Sequence, residues 1–178
     1  MYIYELFGSI NSSEYVLVKI DPNFPFISFG SDFDIYLKDI GSFEKSITKH
    51  YQNKKHYSLG KIVKTKSNIQ IDLSFKNQFI YKFDLYAYDY ESKIYNSNFI
   101  LDVIKSKKKK NFNFIKKYSI YIPDVTFGSL VRLFEYYENP HKYHHLNEIN
   151  KLSKNKIQSL SKEIDLYSDL KLEEIINI

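Results

Sequence analysis

The sequence predicts an α+β domain in which a mixed or antiparallel sheet comes first and helices come last. Stretches with alternating apolar and polar residues dominate the chain up to residue 122, whereas apolar residues recur at helical spacing from residue 123 onward. The 178 residues are 43% hydrophobic and include 17 Tyr and 14 Phe, which is enough for one core and favours strands. We therefore predict a core over residues 1–122 and a helical segment over residues 123–178 that packs on it.

The predicted strands follow one another with turn residues between them. Glu14–Ile20 is a short apolar run bounded by serines and by Asp-Pro, and a turn-rich bridge separates it from Phe33–Leu37. The break at Lys76-Asn77-Gln78 predicts a hairpin between two alternating runs. The remaining predicted strands are KIVKT (61–65), NIQIDLSF (68–75), FIYKFDLYAY (79–88) and SIYIP (119–123).

Helices are predicted where apolar residues recur every three or four positions. In SFEKSITKHYQ, Ser42 is a suitable N-cap, and Phe43, Ile47 and Tyr51 form one apolar face. Asp124 is a suitable N-cap for the helix that follows the last strand. That helix carries its apolar stripe at Phe127, Leu130, Leu133, Phe134 and Tyr137, and two more polar helices are predicted over 143–152 and 154–176.

Composition excludes several classes of protein. The chain has no cysteine, so it has neither a disulfide framework nor thiolate metal ligands. Its first residues lack the basic and apolar regions of a signal peptide, and no uncharged apolar run approaches the ~18 residues that a transmembrane helix needs. We expect a cytoplasmic protein without a membrane span. There is also no Walker loop and no Gly-x-Ser-x-Gly motif.

Two aspartates in the second predicted strand are the strongest candidates for chemistry. Asp32 and Asp34 are one residue apart, so on a strand their carboxylates leave the same face. Two carboxylates this close repel unless a cation lies between them, and Mg²⁺ is commonly held by one or two carboxylates together with substrate phosphates. A two-metal site needs a third carboxylate from another strand. Asp72, on the polar face of its strand, is the first candidate, and Asp84 is the alternative.

These acidic motifs resemble those of the polymerase-beta-like nucleotidyltransferase superfamily. Gly30–Leu37 (GSDFDIYL) is similar to the paired-aspartate strand of that superfamily, and Ile71–Leu73 resembles its third-carboxylate strand. The wider block around them, YVLVKIDPNFP…GSDFDIYL, is similar to nucleotidyltransferase-like proteins of bacterial surface-polysaccharide gene clusters. The later stretch from Pro123 to His145 resembles the C-terminal helical region of the same proteins.

The resemblance implies an enzyme that transfers a nucleotidyl or related phosphoryl group to a hydroxyl of a sugar or small metabolite. It implies Mg²⁺, or Mn²⁺, held by Asp32, Asp34 and Asp72, a nucleotide donor, and a possible place in surface-polysaccharide biosynthesis. Lys19, where those proteins usually carry Arg, and the backbone around Gly30 and Ser31 are candidates for substrate binding. Arg132, the only arginine in the chain, suits a phosphate or carboxylate, or an ordinary salt bridge to Glu135 or Glu138.

One departure from the family pattern keeps a second function open. The superfamily grips its nucleotide with a Gly-Ser at the start of a helix, about ten residues before the aspartate pair. Gly8-Ser9 lies too early for that role, and Gly30-Ser31 directly abuts the pair. A catalytically inactive relative that serves as a binding or partner module is therefore the alternative.

A third function is suggested by a run of basic residues. Much of the net charge of +5 lies in Lys105–Lys110, with Lys116 and Lys117 following. Such a strip contacts the phosphates of a nucleic acid or lies in a solvated loop between two strands. The histidines His141, His144 and His145 have no carboxylate at zinc-ligand spacing, so the sequence favours surface histidines over a metal site there, with a place for His145 near an active-site mouth as the alternative.

Overall fold

The computed structural model describes residues 6–8, 10, 15–19, 24, 27–112 and 118–176. Residues 6–8 are helical. The strands and helices that follow are, in chain order, β1 (Tyr15–Leu17), β2 (Ser31–Leu37), α1 (Ile40–Tyr51), β3 (Tyr57–Thr65), β4 (Asn68–Phe75), β5 (Gln78–Ala87), α2 (Asn98–Ser106), β6 (Lys108–Phe112), β7 (Tyr118–Ile122), α3 (Val125–Glu138), α4 (Tyr143–Asn150), α5 (Lys154–Tyr167) and α6 (Leu172–Ile176).

The main sheet has five strands in the order β1-β2-β5-β4-β3. β2 and β5 are parallel neighbours, and the other pairs in this sheet are antiparallel. β6 and β7 form a separate antiparallel pair. The sheet is therefore mixed and most of the helices follow it, which confirms the predicted α+β class.

One face of the main sheet packs on α1. Alternate residues of β2 and β5, among them Phe33 and Phe83, are buried there together with Phe43 of α1. The rings of Phe33 and Phe83 stack with their centroids 5.4 Å apart. Because strand side chains alternate between faces, these aromatic residues leave the intervening aspartates on the opposite face.

The opposite face packs on the later helices over only part of its area. Val16 of β1 and Tyr36 of β2 share a hydrophobic cluster with Phe99 of α2 and Phe134 of α3. Helices beyond residue 123 thus pack on strands that precede it. The division at residue 122 stays a prediction, although the buried cluster continues across it.

The helices α1 and α3 both have an aspartate as their N-cap. Asp124 is the N-cap of α3, as predicted, and its carboxylate accepts a hydrogen bond from the Phe127 amide at 2.9 Å. The prediction of Ser42 as the cap of α1 is wrong. Asp39 is the N-cap, accepting from the Gly41 amide at 2.8 Å, because Ile40 already contributes to the buried face and the helix begins before it reaches Ser42.

The β4–β5 hairpin forms where it was predicted. Lys76 and Asn77 both have positive φ angles, 48° and 62°, which suits the twist of a tight hairpin. Two other parts of the prediction need correction. α2 was not predicted, and the single helix expected over 154–176 is two helices, because residues 168–171 interrupt it. In the described part of the chain, no helix is long and apolar enough to cross a membrane.

Candidate functional site

The part of the sheet face opposite α1 that lies outside the apolar cluster carries a row of charged side chains. Asp32 and Asp34 of β2 leave this face, and the strand register sets Lys82 and Asp84 of β5 directly opposite them. β4 adds Asp72, opposite Lys82 on its other side. Opposed residues of neighbouring strands share a face and start only about 5 Å apart. The structure therefore brings four aspartates to one face of the sheet, with a lysine among them.

Lys82 is the central cation of this row. Its Nζ lies 3.0 Å from Asp32 Oδ2 and 3.4 Å from Asp84 Oδ2. Asp84 is buried and also accepts a hydrogen bond from Lys64 Nζ at 2.7 Å. Asp84 therefore has two ammonium groups beside it, and Lys82 links it to Asp32.

Asp34 is a mostly buried carboxylate with little compensation of its charge. Its nearest cation is Lys19, whose Nζ lies 4.0 Å away. Burial, together with the negative charges of Glu135, Asp84 and Asp32 and against the opposing effect of Lys19, raises the pKa of Asp34 to about 6. A strongly perturbed carboxylate beside a cleft is a common property of functional sites.

Asp72 lies farther from the aspartate pair than Asp84 does. It is half-buried, and its Oδ1 accepts a hydrogen bond from Gln70 Nε2 at 2.7 Å. β5 separates its strand from β2, with Lys82 between the two. Asp84, the alternative third carboxylate, is instead in register with Asp34.

A cleft of about 560 Å³ lies between the start of β2 and the helices α3 and α4. Val18 to Lys19 and Gly30 to Asp32 line it from the sheet side. The helical side contributes mostly polar residues: Val131, Arg132, Glu135, His144, His145 and Glu148. The acidic row therefore borders a cavity large enough for a small organic ligand.

The residues predicted to bind substrate all border this cleft, but two have their polar groups engaged. Gly30 has a φ of +88°, and its amide donates to Ile80 O at 2.7 Å. The Ser31 hydroxyl donates to Ser28 O at 2.8 Å. These groups consequently shape the turn before β2, which leaves Lys19 and Arg132 as the charged candidates for binding an anion.

Arg132 lies at the outer edge of the cleft. Its side chain is half-exposed, and Nη1 is 3.8 Å from Glu148 Oε2. Its partner is thus on α4, rather than at Glu135 or Glu138 as the sequence suggested. A contact this long and this exposed is weak, so a ligand could replace it.

Glu135 and His145 form a buried pair on the helical side. His145 Nε2 lies 2.9 Å from Glu135 Oε2, although the two are poorly aligned for a hydrogen bond. Burial opposes ionisation of Glu135, but the contact with His145 and the positive charges of Lys19 and Lys142 together outweigh it and lower the pKa of Glu135. The sequence favoured a surface position for His145, with a place near an active-site mouth as the alternative. The structure corrects the surface position, since the His145 side chain is only 5% exposed and lines the cleft.

The basic strip does not lie in a loop as expected. Lys105 lies in the last turn of α2 and pairs with Asp102 at 2.8 Å. Lys108–Lys110 are exposed on β6. The ammonium groups of two lysines lie over aromatic rings. The Nζ atom of Lys110 is 5.6 Å from the centroid of the Phe112 ring. Lys116 and Lys117 lie outside the described residues. None of the strip's described lysines lines the cleft, and nucleic-acid binding stays a prediction.

The acidic row suits a divalent cation in its chemistry. Carboxylate oxygens are the ligands that Mg²⁺ prefers, and the raised pKa of Asp34 reflects negative charge that is not fully compensated. Among the residues that the structure describes, no three His, Asp or Glu side chains are already gathered as a metal site. Lys82 lies between Asp32 and Asp84, so a cation bound there would have to displace its ammonium group.

Two participants in the site, Lys82 and Glu135, were not identified from the sequence. Lys82 and Asp84 lie two residues apart on the polar face of their strand. This spacing is visible in the sequence, but it is typical of any strand with a solvent-facing side. Glu135 lies three residues after Arg132 on the same helix. Its pairing with His145 depends on how α3 packs against α4, which the spacing of the residues does not reveal.

Comparisons with known proteins do not assign the chain to a family. No model of a known protein family matches it, and no curated protein is significantly similar to it.

Proposed function

We propose that the protein transfers a nucleotidyl or related phosphoryl group from a nucleotide donor to a hydroxyl of a sugar or small metabolite. The observation that carries the proposal is the register of β2 and β5, which gives Asp32, Asp34 and Asp84 one face beside the cleft. The resemblance of Gly30–Leu37 to nucleotidyltransferase strands supports the same reaction class.

In this proposal Asp32, Asp34 and Asp84 hold Mg²⁺ or Mn²⁺. The bound cation would neutralise charge on the donor phosphates. The register supports Asp84 over Asp72 as the third carboxylate, because Asp84 faces Asp34 directly and Asp72 lies across Lys82. Lys82 would then turn from Asp32 and Asp84 toward a phosphate of the donor.

The chain's own cations position the donor. Lys19 borders both Asp34 and the cleft, so its ammonium group is available to a phosphate once a cation compensates Asp34. Arg132 faces the cleft from the helical side and holds Glu148 only weakly. A guanidinium group binds phosphate or carboxylate oxygens through two parallel hydrogen bonds, which would fix the ligand's orientation.

The contacts of Lys82 favour a second candidate, a catalytically inactive relative that serves as a binding or partner module. Its ammonium group already neutralises two of the carboxylates that a metal would need. In such a protein the lysine replaces the cation permanently, and the acidic row has a structural role.

Calorimetry with Mg²⁺ or Mn²⁺ and each of the four common nucleoside triphosphates tests the two candidates. The enzyme proposal predicts nucleotide binding that requires the metal, is lost in Asp32→Asn, and persists in the control Asp89→Asn, an exposed turn position. Pyrophosphate release should follow the same pattern. Equal turnover in the Asp32→Asn/Asp34→Asn double variant would refute the enzyme, and absence of metal-dependent nucleotide binding in the wild type would support the module.

Two finer features of the proposal rest on the sequence alone. The first is a cytoplasmic location, and the second is a place in surface-polysaccharide biosynthesis, which the family resemblance implies. A panel of monosaccharides and nucleotide sugars, offered as acceptors in the pyrophosphate assay, would examine the second feature directly.

A further inference from the structure

The helical wall of the cleft carries a buried histidine beside a carboxylate. His145 on α4 is 5% exposed at its side chain, Glu135 on α3 is 20% exposed, and their nearest atoms are 2.9 Å apart. Both residues line the cleft that Asp32 lines from the sheet side. The pair therefore faces the space in which the proposed reaction takes place.

The imidazole of His145 has hydrogen-bonding capacity that the fold does not use. Its Nε2 is buried, yet it makes no well-aligned hydrogen bond, since the contact with Glu135 has the distance of an ion pair without the angle. Nearly all buried polar atoms in proteins find partners. Nε2 faces Glu135 and no aligned hydrogen bond fixes the ring, so His145 keeps hydrogen-bonding capacity for a ligand in the cleft.

The pair shares its cleft with one end of the acidic row. Asp32 and Lys19 line the cleft together with Glu135 and His145. Lys19 Nζ also lies 4.0 Å from Asp34 Oδ2. A hydroxyl held by the helical wall would thus lie near a donor held at the sheet.

We propose that His145, oriented by Glu135, accepts the proton of the acceptor hydroxyl, so that the helical wall is the acceptor half of the cleft. This inference rests on the proposed transfer reaction. With a nucleoside triphosphate donor, the acceptor O–H bond breaks and its proton moves to Nδ1 of the imidazole, because Nε2 faces Glu135. The acceptor oxygen bonds to the α-phosphorus, the P–O bond to pyrophosphate breaks, and pyrophosphate leaves with the electron pair. The Glu135 carboxylate stabilises the imidazolium that forms.

The lining of this wall also indicates the class of acceptor. Beside the pair lie Arg132, His144 and Glu148, with Val131 as an apolar residue among them. Hydrogen-bonding side chains of both charges suit a ligand with several hydroxyl groups better than an apolar one. The acceptor is therefore polyhydroxylated, as a monosaccharide is.

The test measures pyrophosphate release from nucleoside triphosphates with Mg²⁺, with water or a monosaccharide panel as the acceptor. His145→Gln should lower the rate by about 10²–10⁴-fold, the usual contribution of a general base, while metal-dependent nucleotide binding remains. His141→Gln is the control, because that exposed histidine lies outside the lining of the cleft. Since His145 is buried, the melting temperature of each variant is measured alongside its rate.

Glu135→Gln provides a readout that a purely structural role would not change. Loss of the carboxylate beside the imidazolium should move the acidic limb of the pH–rate profile to lower pH, with a smaller loss of rate than in His145→Gln. The other charges that face the pair are Lys19 after β1, Glu138 on α3, Lys142 and His144 beside His145, and Asp34 across the cleft. They are the same in both proteins, so the shift reports on Glu135.

The outcomes separate this inference from the proposed function. Unchanged turnover in folded His145→Gln, or an acidic limb that Glu135→Gln leaves in place, would overturn the role of the pair while the transfer reaction stands. If His145→Gln does not fold, the Glu135→Gln profile decides alone. A wild-type protein without metal-dependent nucleotide binding would overturn both.

Discussion

Asp34 on β2 and Asp84 on β5 lie directly opposite each other on parallel strands, yet their charges are compensated very differently. Asp84 has Lys64 Nζ at 2.7 Å and Lys82 Nζ at 3.4 Å. Asp34 has only Lys19, at 4.0 Å, while the Asp84 carboxylate raises its pKa. Two ammonium groups therefore balance the negative charge of Asp84, whereas the charge of Asp34 is poorly balanced.

Asp34→Asn should stabilise the protein at neutral pH. Burial and neighbouring carboxylates raise the pKa of Asp34 from 3.8 to about 6 in the folded state. The folded protein therefore binds more protons than the unfolded chain between about pH 4 and pH 6, and stability is lost as the pH rises through that window. We expect the variant to gain about 1–3 kcal/mol in free energy of unfolding at pH 8 and almost nothing at pH 3.5, measured by urea denaturation with EDTA.

The control for this prediction is Asp89→Asn at an exposed turn position, where we expect no pH-dependent gain. If Asp34→Asn is destabilised equally at both pH values, then its carboxylate contributes favourable interactions, contrary to the structure.

Lys82→Met should strengthen binding of a divalent cation. The substitution removes the ammonium group from between Asp32 and Asp84 and keeps much of the side-chain volume. We expect Mn²⁺ affinity to rise about tenfold, the effect of a single charge at a partly exposed site, and metal-free stability to fall by about 1 kcal/mol.

Lys61→Met is the matched control for Lys82. That lysine belongs to the edge strand β3 of the same sheet and pairs with Glu44 of α1, at 2.7 Å, away from the acidic row. Calorimetric titration with Mn²⁺ checks both variants. Equal affinities in wild type and Lys82→Met would show that Asp32 and Asp84 do not share a cation.

The third carboxylate can be identified by comparing Asp84→Asn with Asp72→Asn. The register predicts that the Asp84 variant loses metal-dependent nucleotide binding and that the Asp72 variant retains it, because only Asp84 faces Asp34. Calorimetry at a fixed Mg²⁺ concentration measures this directly. The reverse pattern would restore Asp72 as the ligand that the sequence first indicated.

Gly30→Ala should destabilise the turn that leads into β2. Its φ of +88° is unfavourable for a residue with a Cβ, although no heavy atom lies within 4 Å of the added carbon. We expect a loss of about 1–2 kcal/mol from backbone strain alone. Gly60→Ala, inside β3 and 3.8 Å from Asp72 Cβ, should instead gain about 0.5 kcal/mol. Thermal unfolding of both variants tests the contrast, and a stable Gly30→Ala protein would contradict the assigned turn.

Local patterns were sufficient to predict the sheet of this protein. The β4–β5 hairpin follows from two alternating runs around Lys76-Asn77, and α3 from a capping aspartate followed by an apolar stripe. Both signals lie within a few residues of the structure that they specify. α2 has a comparable signal in Phe99, Ile100, Val103 and Ile104, an apolar stripe that directly precedes the run of lysines.

The candidate site could be predicted only in part, because its members come together through tertiary packing. Alternation alone placed Asp32 and Asp34 on one face, as the structure has them. The choice between Asp72 and Asp84 depends on strand order, which differs from chain order because β5 inserts between β2 and β4. The pairing of Glu135 with His145 depends on the contact between α3 and α4.

A single strand face has two uses in this protein. Asp34 belongs to the acidic row, while Tyr36, two residues later on the same face of β2, is buried against the helices. Any foreign helical segment grafted after residue 122 would have to match the surface around Tyr36 and Val16 as well as supply a wall for the cleft. In engineering terms, the helices of this chain are not an exchangeable module, and specificity can be redesigned only by substitutions that preserve their packing on β2.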